Sequence, residues 1–255
     1  MKNYTHGYAM AVNRKYKLLE SKYDINLDYD KKYVLRFDGV KMTKSFMPQE
    51  DDKALFLKTI SDTIRLFIAE FNDFKFCYSY CDEISFLLND KILNKYSYRT
   101  QKLLSVLTGV LSVCFYKAAI NNNLDLKDKI WSFDGRLIEL DSNDDVLGYF
   151  IARQAYSISS HLLSLARKHF DINTYSSANE LINRLKANNI DYDKIPSKNK
   201  YGIVWANDFQ PSYEFIERKE RLSHQLFDEN YQRPKFKRTK RRKKNVSNRM
   251  SLINK

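Results

Sequence analysis

Two acidic pairs set against strand-like sequence are the residues of this chain best suited to chemistry. Asp38-Gly39 closes YVLRFDG, and Asp82-Glu83 sits inside CYSYCDEISFLL. Residues 33–37 are aromatic, β-branched or apolar apart from Arg36. Residues 76–80 and 84–88 are two further runs of that kind, with only Cys81, Asp82 and Glu83 between them, which reads as a hairpin. A hairpin paired beside the first strand brings Asp38 and Asp82 within the span required by two divalent ions about 3.5 to 4 Å apart. Carboxylates crowded so closely repel unless metal neutralises them. Asp-Gly is equally a common turn dipeptide and Asp-Glu a common loop pair, so spacing alone leaves a two-metal site and a pair of solvated turns both open.

A site of that kind would handle triphosphate, whose charge exceeds what two metals neutralise, so cations are the next requirement. Arg36 precedes Asp38, and Arg99 and Lys102 lie three apart, on one face of a helical stretch. Spacing alone also fits a solvated helix start for the latter two.

Positioning falls to the elements around these residues. Residues 9–23 read as a polar helix leading into the first strand. Gln49, Glu50, Asp51 and Asp52 load acid at the start of a helix over about 51–72, where the positive end of the helix dipole favours it. Its Leu55, Ile60, Ile64, Phe67 and Ile68 recur at near-helical spacing and predict that it covers the sheet. A second long helix is expected over 95–120, a strand over 130–141 and a helix over 145–170. Ser177 with Glu180 makes a capping box for another over 177–189. Pro196, Gly202 and Pro211 punctuate the end of the folded body, and residues 213–230 read as a last amphipathic helix. The apolar run over 103–116, bracketed by Lys102 and Lys117, is short for a membrane span and reads as a buried core helix.

The 255 residues suffice for a sizeable core, and the net charge of +13 is lopsided. Residues 233–244, RPKFKRTKRRKK, hold nine Lys or Arg and no acid, leaving +4 for everything else. Such an arm cannot bury enough apolar surface to fold alone. Binding of an RNA backbone, a nuclear-import signal and a plain solvated tail all fit it. Cys77, Cys81 and Cys114 form neither a disulfide framework nor a zinc spacing, so a reducing cytoplasm is the expected compartment, with the nucleus open for a eukaryotic host. Residues 1–17 lack the sustained apolar core of a secretory leader.

In order along the chain, RFDG, a Pro-Asp segment opening a helix, CDEISF, a basic Arg-x-x-Lys element, FDGR and ARQA resemble the tRNA-His guanylyltransferase family, closest to its bacterial and archaeal-type "like" branch. The resemblance runs from about residue 13 to 205. It implies an α+β fold with a polymerase palm-like βαββαβ (ferredoxin-like) core and added helices, and template-directed nucleotide addition to the 5′ end of tRNA in the 3′-to-5′ direction, serving either 5′-end repair or tRNA-His guanylylation. Asp38, the Gly39 carbonyl and Asp82 match the metal positions, with Glu83 the adjacent acid, and hard oxygen donors suit two Mg²⁺ ions. Arg99 and Lys102 match triphosphate contacts, with GTP, ATP and other nucleoside triphosphates as partners. Arg136 and Arg153 are expected to support the fold or hold the tRNA end; outside the stretch of resemblance, Lys237, Arg238, Arg241 and Arg242 would meet RNA phosphates on the RNA-binding reading of the tail. A homo-tetramer or dimer is implied, and no membrane partner. The expected organisation is a helical lead-in over 1–30, a catalytic domain over 31–206, a helix over 207–232 and a disordered basic tail over 233–255.

Departures from the family pattern fall around the site. Met47 stands before Pro48 where a basic residue is common, an extra residue precedes Asp51, and Lys41 or Lys44 would restore the charge. Cys81 replaces a usual Ser, and residues 156–161, YSISSH, do not carry the Asp, His and Asn at their expected places. A palm-type nucleotide cyclase or signal synthase, needing no RNA, and a non-catalytic RNA-binding relative are the competing readings; retention of Asp38 and Asp82 speaks against the second.

Overall fold

Side-chain alternation along one strand organises the molecule. In β1 (Lys32–Gly39), Tyr33, Leu35 and Phe37 enter a large aromatic core on one side of the sheet. Val34 joins a smaller apolar cluster on the other side, and Arg36 and Asp38 share its face. The chain is described here from a computed structural model covering residues 6–48, 50–71, 74, 76–172, 177–195, 200–205 and 211–212.

The remaining strands are β2 (Phe76–Tyr80), β3 (Glu83–Leu87), β4 (Phe133–Leu140), β5 (Ile203–Trp205) and β6 (Pro211–Ser212), in the spatial order β4-β1-β3-β2-β5-β6. Every neighbouring pair is antiparallel. Helix α3 (Glu50–Phe71) links β1 to β2, and α5 (Thr100–Asn121) links β3 to β4. The first four strands therefore form the split βαβ of a ferredoxin-like βαββαβ unit, as expected. Around it lie α1 (His6–Glu20), α2 (Met42–Phe46), α4 (Asp90–Lys95), α6 (Asn143–His169) and α7 (Ala178–Ala187).

Both crossover helices pack on the Phe37 side. In α3, Phe56, Ile60, Ile64, Phe67 and Phe71 form the inward stripe, and in α5 Leu103, Leu107, Leu111 and Phe115 repeat every fourth residue. Helix α5 has the length and apolarity to cross a membrane, with a mean hydropathy of 1.8; here that apolar face is buried against α3 and the sheet. The opposite side of the sheet receives α6, whose Phe150 meets Val34, Tyr78 and Val204. Ser142 caps α6 by accepting from the Asp145 N–H at 3.1 Å. Asp144 and Asp145 in its first turn and Arg167, Lys168 and His169 in its last complement its dipole.

Two expected elements differ. The hairpin turn has two residues, Cys81 and Asp82, because Glu83 pairs with both Tyr80 and Asp38 and so belongs to the strand; Cys81 takes the left-handed backbone (φ 53°) that closes the turn. The long helix expected over 95–120 begins only at Thr100, after α4 ends at Lys95, since Ser97 and Tyr98 also adopt positive φ (53° and 54°) and Arg99 is extended. That break is held by the lead-in segment: the Leu27 N–H donates to the Tyr98 carbonyl at 2.8 Å and the Thr100 N–H to that of Ile25 at 3.0 Å. Ser177 caps α7 as its capping box predicts. The helix expected over 213–230 and the basic tail lie outside the described residues.

Candidate active site

The ladder register assembles the site. Asp38 in β1 sits directly opposite Glu83 in β3 and Asp134 in β4, so three carboxylates form a row across adjacent strands at one end of the sheet. The turn then swings Asp82 beside Gly39, whose N–H donates to the Asp82 carbonyl at 3.2 Å. Glycine is required there by space: a Cβ on Gly39 would lie 2.7 Å from Met42 Sδ and 2.8 Å from Asp82 Cβ.

Asp82 is the buried acid of the group, 8% exposed. Helix α2 places Thr43 over it, with the Thr43 N–H on Oδ2 at 2.9 Å and the hydroxyl on Oδ1 at 2.5 Å. Burial pushes the Asp82 carboxyl above the usual carboxylate range; the Thr43 donors oppose that rise and the neighbouring Asp38 charge adds to it. Glu83 is engaged differently. Arg153, from α6, grips it through two hydrogen bonds, Nε to Oε1 at 2.7 Å and Nη2 to Oε2, the bidentate geometry that suits guanidinium and carboxylate. The same guanidinium lies 4.7 Å from the centroid of the Tyr156 ring. Asp134 gives one oxygen to Arg136 at 2.9 Å, while its Oδ1 is buried without a partner.

Arg36, Asp38, Thr43, Asp82, Glu83, Arg136 and Arg153 line a basin of about 430 Å³. Arg36 Nε is also buried without a partner. A second cavity, of about 380 Å³, adjoins the basin through Thr43, Tyr80, Cys81 and Ser160. Its wall combines apolar Met47, Leu57 and Ile60 with Lys53, His161 and Lys168. Burial first, then Lys53, Lys200 and Lys168, lowers the His161 imidazole to about 4, so the ring is neutral at physiological pH.

Among the described residues no three His, Cys, Asp or Glu side chains converge on one point, so a cation held by Asp38 and Asp82 would draw its remaining oxygens from main chain, water and substrate. The donors fit such an ion. They are hard oxygens, the donor type such an ion prefers.

The structure thus brings Arg36, Asp38, Gly39, Asp82, Glu83, Arg136 and Arg153 together. It does not bring Arg99 and Lys102 to them. Arg99 precedes α5, its Nε on Asp24 Oδ2 at 2.5 Å, and with Lys102 it lines a separate open groove along α5. Lys44 is exposed on α2, outside the basin lining. Lys237, Arg238, Arg241 and Arg242 lie outside the described residues. Sequence reasoning missed Thr43, Asp134 and the Lys53–His161 cavity; of these, Asp134 was within reach, standing two residues before Arg136 in FDGR.

Four palm-like strands within the six-stranded antiparallel sheet, with acids at the end of the first strand and at the hairpin turn, form the architecture of a nucleotidyltransferase. The chain belongs to the tRNAHis guanylyltransferase family, whose model matches residues 13–141, and the family's enzymes transfer nucleotides to tRNA using a divalent metal ion. No curated protein sequence matches it. Among solved structures it resembles a bacterial tRNA(His) guanylyltransferase (Thg1)-like protein in complex with ATP, at TM-score 0.66 and 21% identity, covering 85% of this chain and 98% of that one. It also resembles the tRNA(His) guanylyltransferase of Saccharomyces cerevisiae, at TM-score 0.65 and 16% identity, covering 76% and 93%. The bacterial Thg1-like protein in complex with GTP is similar at 0.59 and 19%, covering 86% and 99%. At these identities the likeness is one of fold.

Proposed function

We propose that this chain adds nucleotides to the 5′ end of tRNA in the 3′-to-5′ direction, templated by the opposite strand, with two Mg²⁺ ions at Asp38, Asp82 and the Gly39 carbonyl. The observation that carries the reading is the β1–β3 register, which sets Asp38 against Glu83 and so brings Asp82 beside Gly39. Metal bound there would acidify the attacking 3′-hydroxyl and offset charge on the leaving phosphate. The incoming nucleotide's 3′-hydroxyl loses its proton and attacks the phosphorus at the activated RNA end; pyrophosphate departs from a 5′-triphosphate, or AMP from an adenylylated end.

The protein's own groups divide the remaining work. Thr43 holds the Asp82 carboxylate in one orientation through both its oxygens. Arg36, with a free buried Nε, meets phosphate oxygens. The adjoining cavity is apolar enough for a nucleoside and cationic enough for its phosphates. Glu83 fixes Arg153 rather than a metal, and Arg153 and Arg136 face the RNA end. Arg99 and Lys102 on the α5 groove, and the nine cations of residues 233–244, supply RNA phosphate contacts away from the chemistry. Repair of 5′-truncated tRNA is the role we assign, in a cytoplasmic homo-oligomer; light scattering tests the assembly, and a monomer would overturn it.

Incubation with labelled nucleotides, Mg²⁺ and a 5′-truncated tRNA is the deciding experiment. The expected product is RNA lengthened at its 5′ end, with the added nucleotide matching the opposite base. A labelled product formed equally without RNA would overturn the reading in favour of a cyclase or signal synthase.

A further inference from the structure

Tyr156 lines the basin but takes no part in the proposed chemistry. It is 59% exposed, yet it lines the same hollow as Asp38 and Asp82. An isolated surface tyrosine turns freely, whereas this one is backed by a fixed cation. Arg153 is locked at its guanidinium by Glu83, and that guanidinium lies 4.7 Å from the ring centroid. The chain Glu83–Arg153–Tyr156 therefore runs from the hairpin turn to an aromatic platform at the basin's rim.

We infer that Tyr156 is a stacking platform for a nucleobase, namely the base at the 5′ end of the RNA. Aromatic faces backed by arginine suit bases of any sequence, because every base presents a π-surface. Placement argues for the RNA end over the incoming nucleotide. Along α6, Arg153, Tyr156 and Ser157 line the carboxylate basin, Ser160 lies at the junction, and His161, Leu165 and Lys168 line the apolar cavity beyond. Tyr156 and Lys168 are twelve residues apart on one helix, roughly 18 Å at the helical rise. A nucleoside seated in the apolar cavity leaves Tyr156 to the second reactant, which meets it at the carboxylates between. This rests on the proposed reading of Asp38 and Asp82 as the reacting centre.

The test uses RNA carrying 2-aminopurine as its 5′-terminal base, whose fluorescence falls on stacking, and requires no turnover. Wild type and Tyr156→Phe are expected to quench the probe, and Tyr156→Ala to leave it bright. In steady-state addition, Tyr156→Ala should raise KM for RNA about tenfold, equal to about 1.4 kcal/mol, with KM for the nucleotide changed less than about twofold. Quenching and RNA KM that survive Tyr156→Ala would overturn the inference. So would a Tyr156→Phe protein as impaired as Tyr156→Ala, which would assign the effect to the hydroxyl, or a rise confined to nucleotide KM, which would assign the ring to the incoming base. A wild type that quenches but adds no nucleotide supports the platform and overturns the proposed function instead.

Discussion

The two faces of one sheet are built from the same strands and do opposite things. On the α3–α5 face, Phe37, Phe67, Phe74 and Phe86 pack ring to ring, with Phe74 and Phe86 centroids 4.6 Å apart and Phe67 and Phe86 5.0 Å apart. On the α6 face, at strand positions alternating with the core residues, Asp38, Glu83 and Asp134 stand in a row that includes an orphaned carboxylate oxygen. The difference teaches that stability and chemistry are separated here by a period of two, so neighbouring residues in β1 should fail in different ways.

The largest expected effect is on the charged face. Asp38→Ala and Asp82→Ala should each cut nucleotide addition about a thousandfold or more, the loss expected for several kcal/mol of metal-borne charge stabilisation. Their melting temperatures should hold, because removing one acid relieves repulsion; near-normal turnover in either would break the comparison. On the aromatic face, Phe86→Ala should cost about 3 to 5 kcal/mol of unfolding free energy, as large-to-small changes in tight cores do, and denaturant titration reads it directly. Thr43→Val tests the seam between the faces. Losing one hydrogen bond to a charged carboxylate, worth about 1.5 to 3 kcal/mol, should weaken Mg²⁺ affinity about tenfold or more in a calorimetric titration, with Thr43→Ser restoring it; an unchanged affinity would confine Thr43 to a local turn.

The smallest effect concerns pH. His161 is held near 4 by burial and nearby lysines, below the unfolded value of about 6.5. Its contribution to stability is present above that unfolded value and is lost as pH falls from about 6.5 toward 4. The slope is at most about 1.4 kcal/mol per pH unit, and less for a ring that water partly reaches. His161→Gln should flatten that stretch of the melting curve; an identical acid decline in both proteins would remove His161 as its source.

Much of this was legible in the sequence, for a physical reason. Alternation and helical patterning are local signals, so YVLRF, the residue 76–88 hairpin and the apolar run over 103–116 point to strands and a core helix without tertiary information, while the βαββαβ arrangement was implied by the resemblance carried by RFDG, CDEISF and FDGR. Asp38 and Asp82 stood out because acids interrupt otherwise apolar strands. What stayed hidden depends on distant partners. Thr43 meets Asp82 across 39 residues, Arg153 meets Glu83 across 70, and Arg99 is drawn to Asp24 across 75, so Arg99 reads in sequence as a free phosphate ligand. The break at Ser97 and Tyr98 carries neither Gly nor Pro, and tertiary bonds to residues 25 and 27 impose it.

Gly39 has a wider consequence. The space for its missing Cβ is claimed at once by Met42, which belongs to the aromatic core, and by Asp82, which belongs to the chemistry. The two faces share a single hydrogen's worth of room at this strand end. An engineer seeking to retune the spacing of the two acids could not do so by altering the turn alone: any shift of Asp82 is transmitted through that contact into the packing beneath it. The geometry of the reaction is therefore calibrated by the core, and laboratory variants with altered acid spacing should carry compensating changes at Met42 or its neighbours.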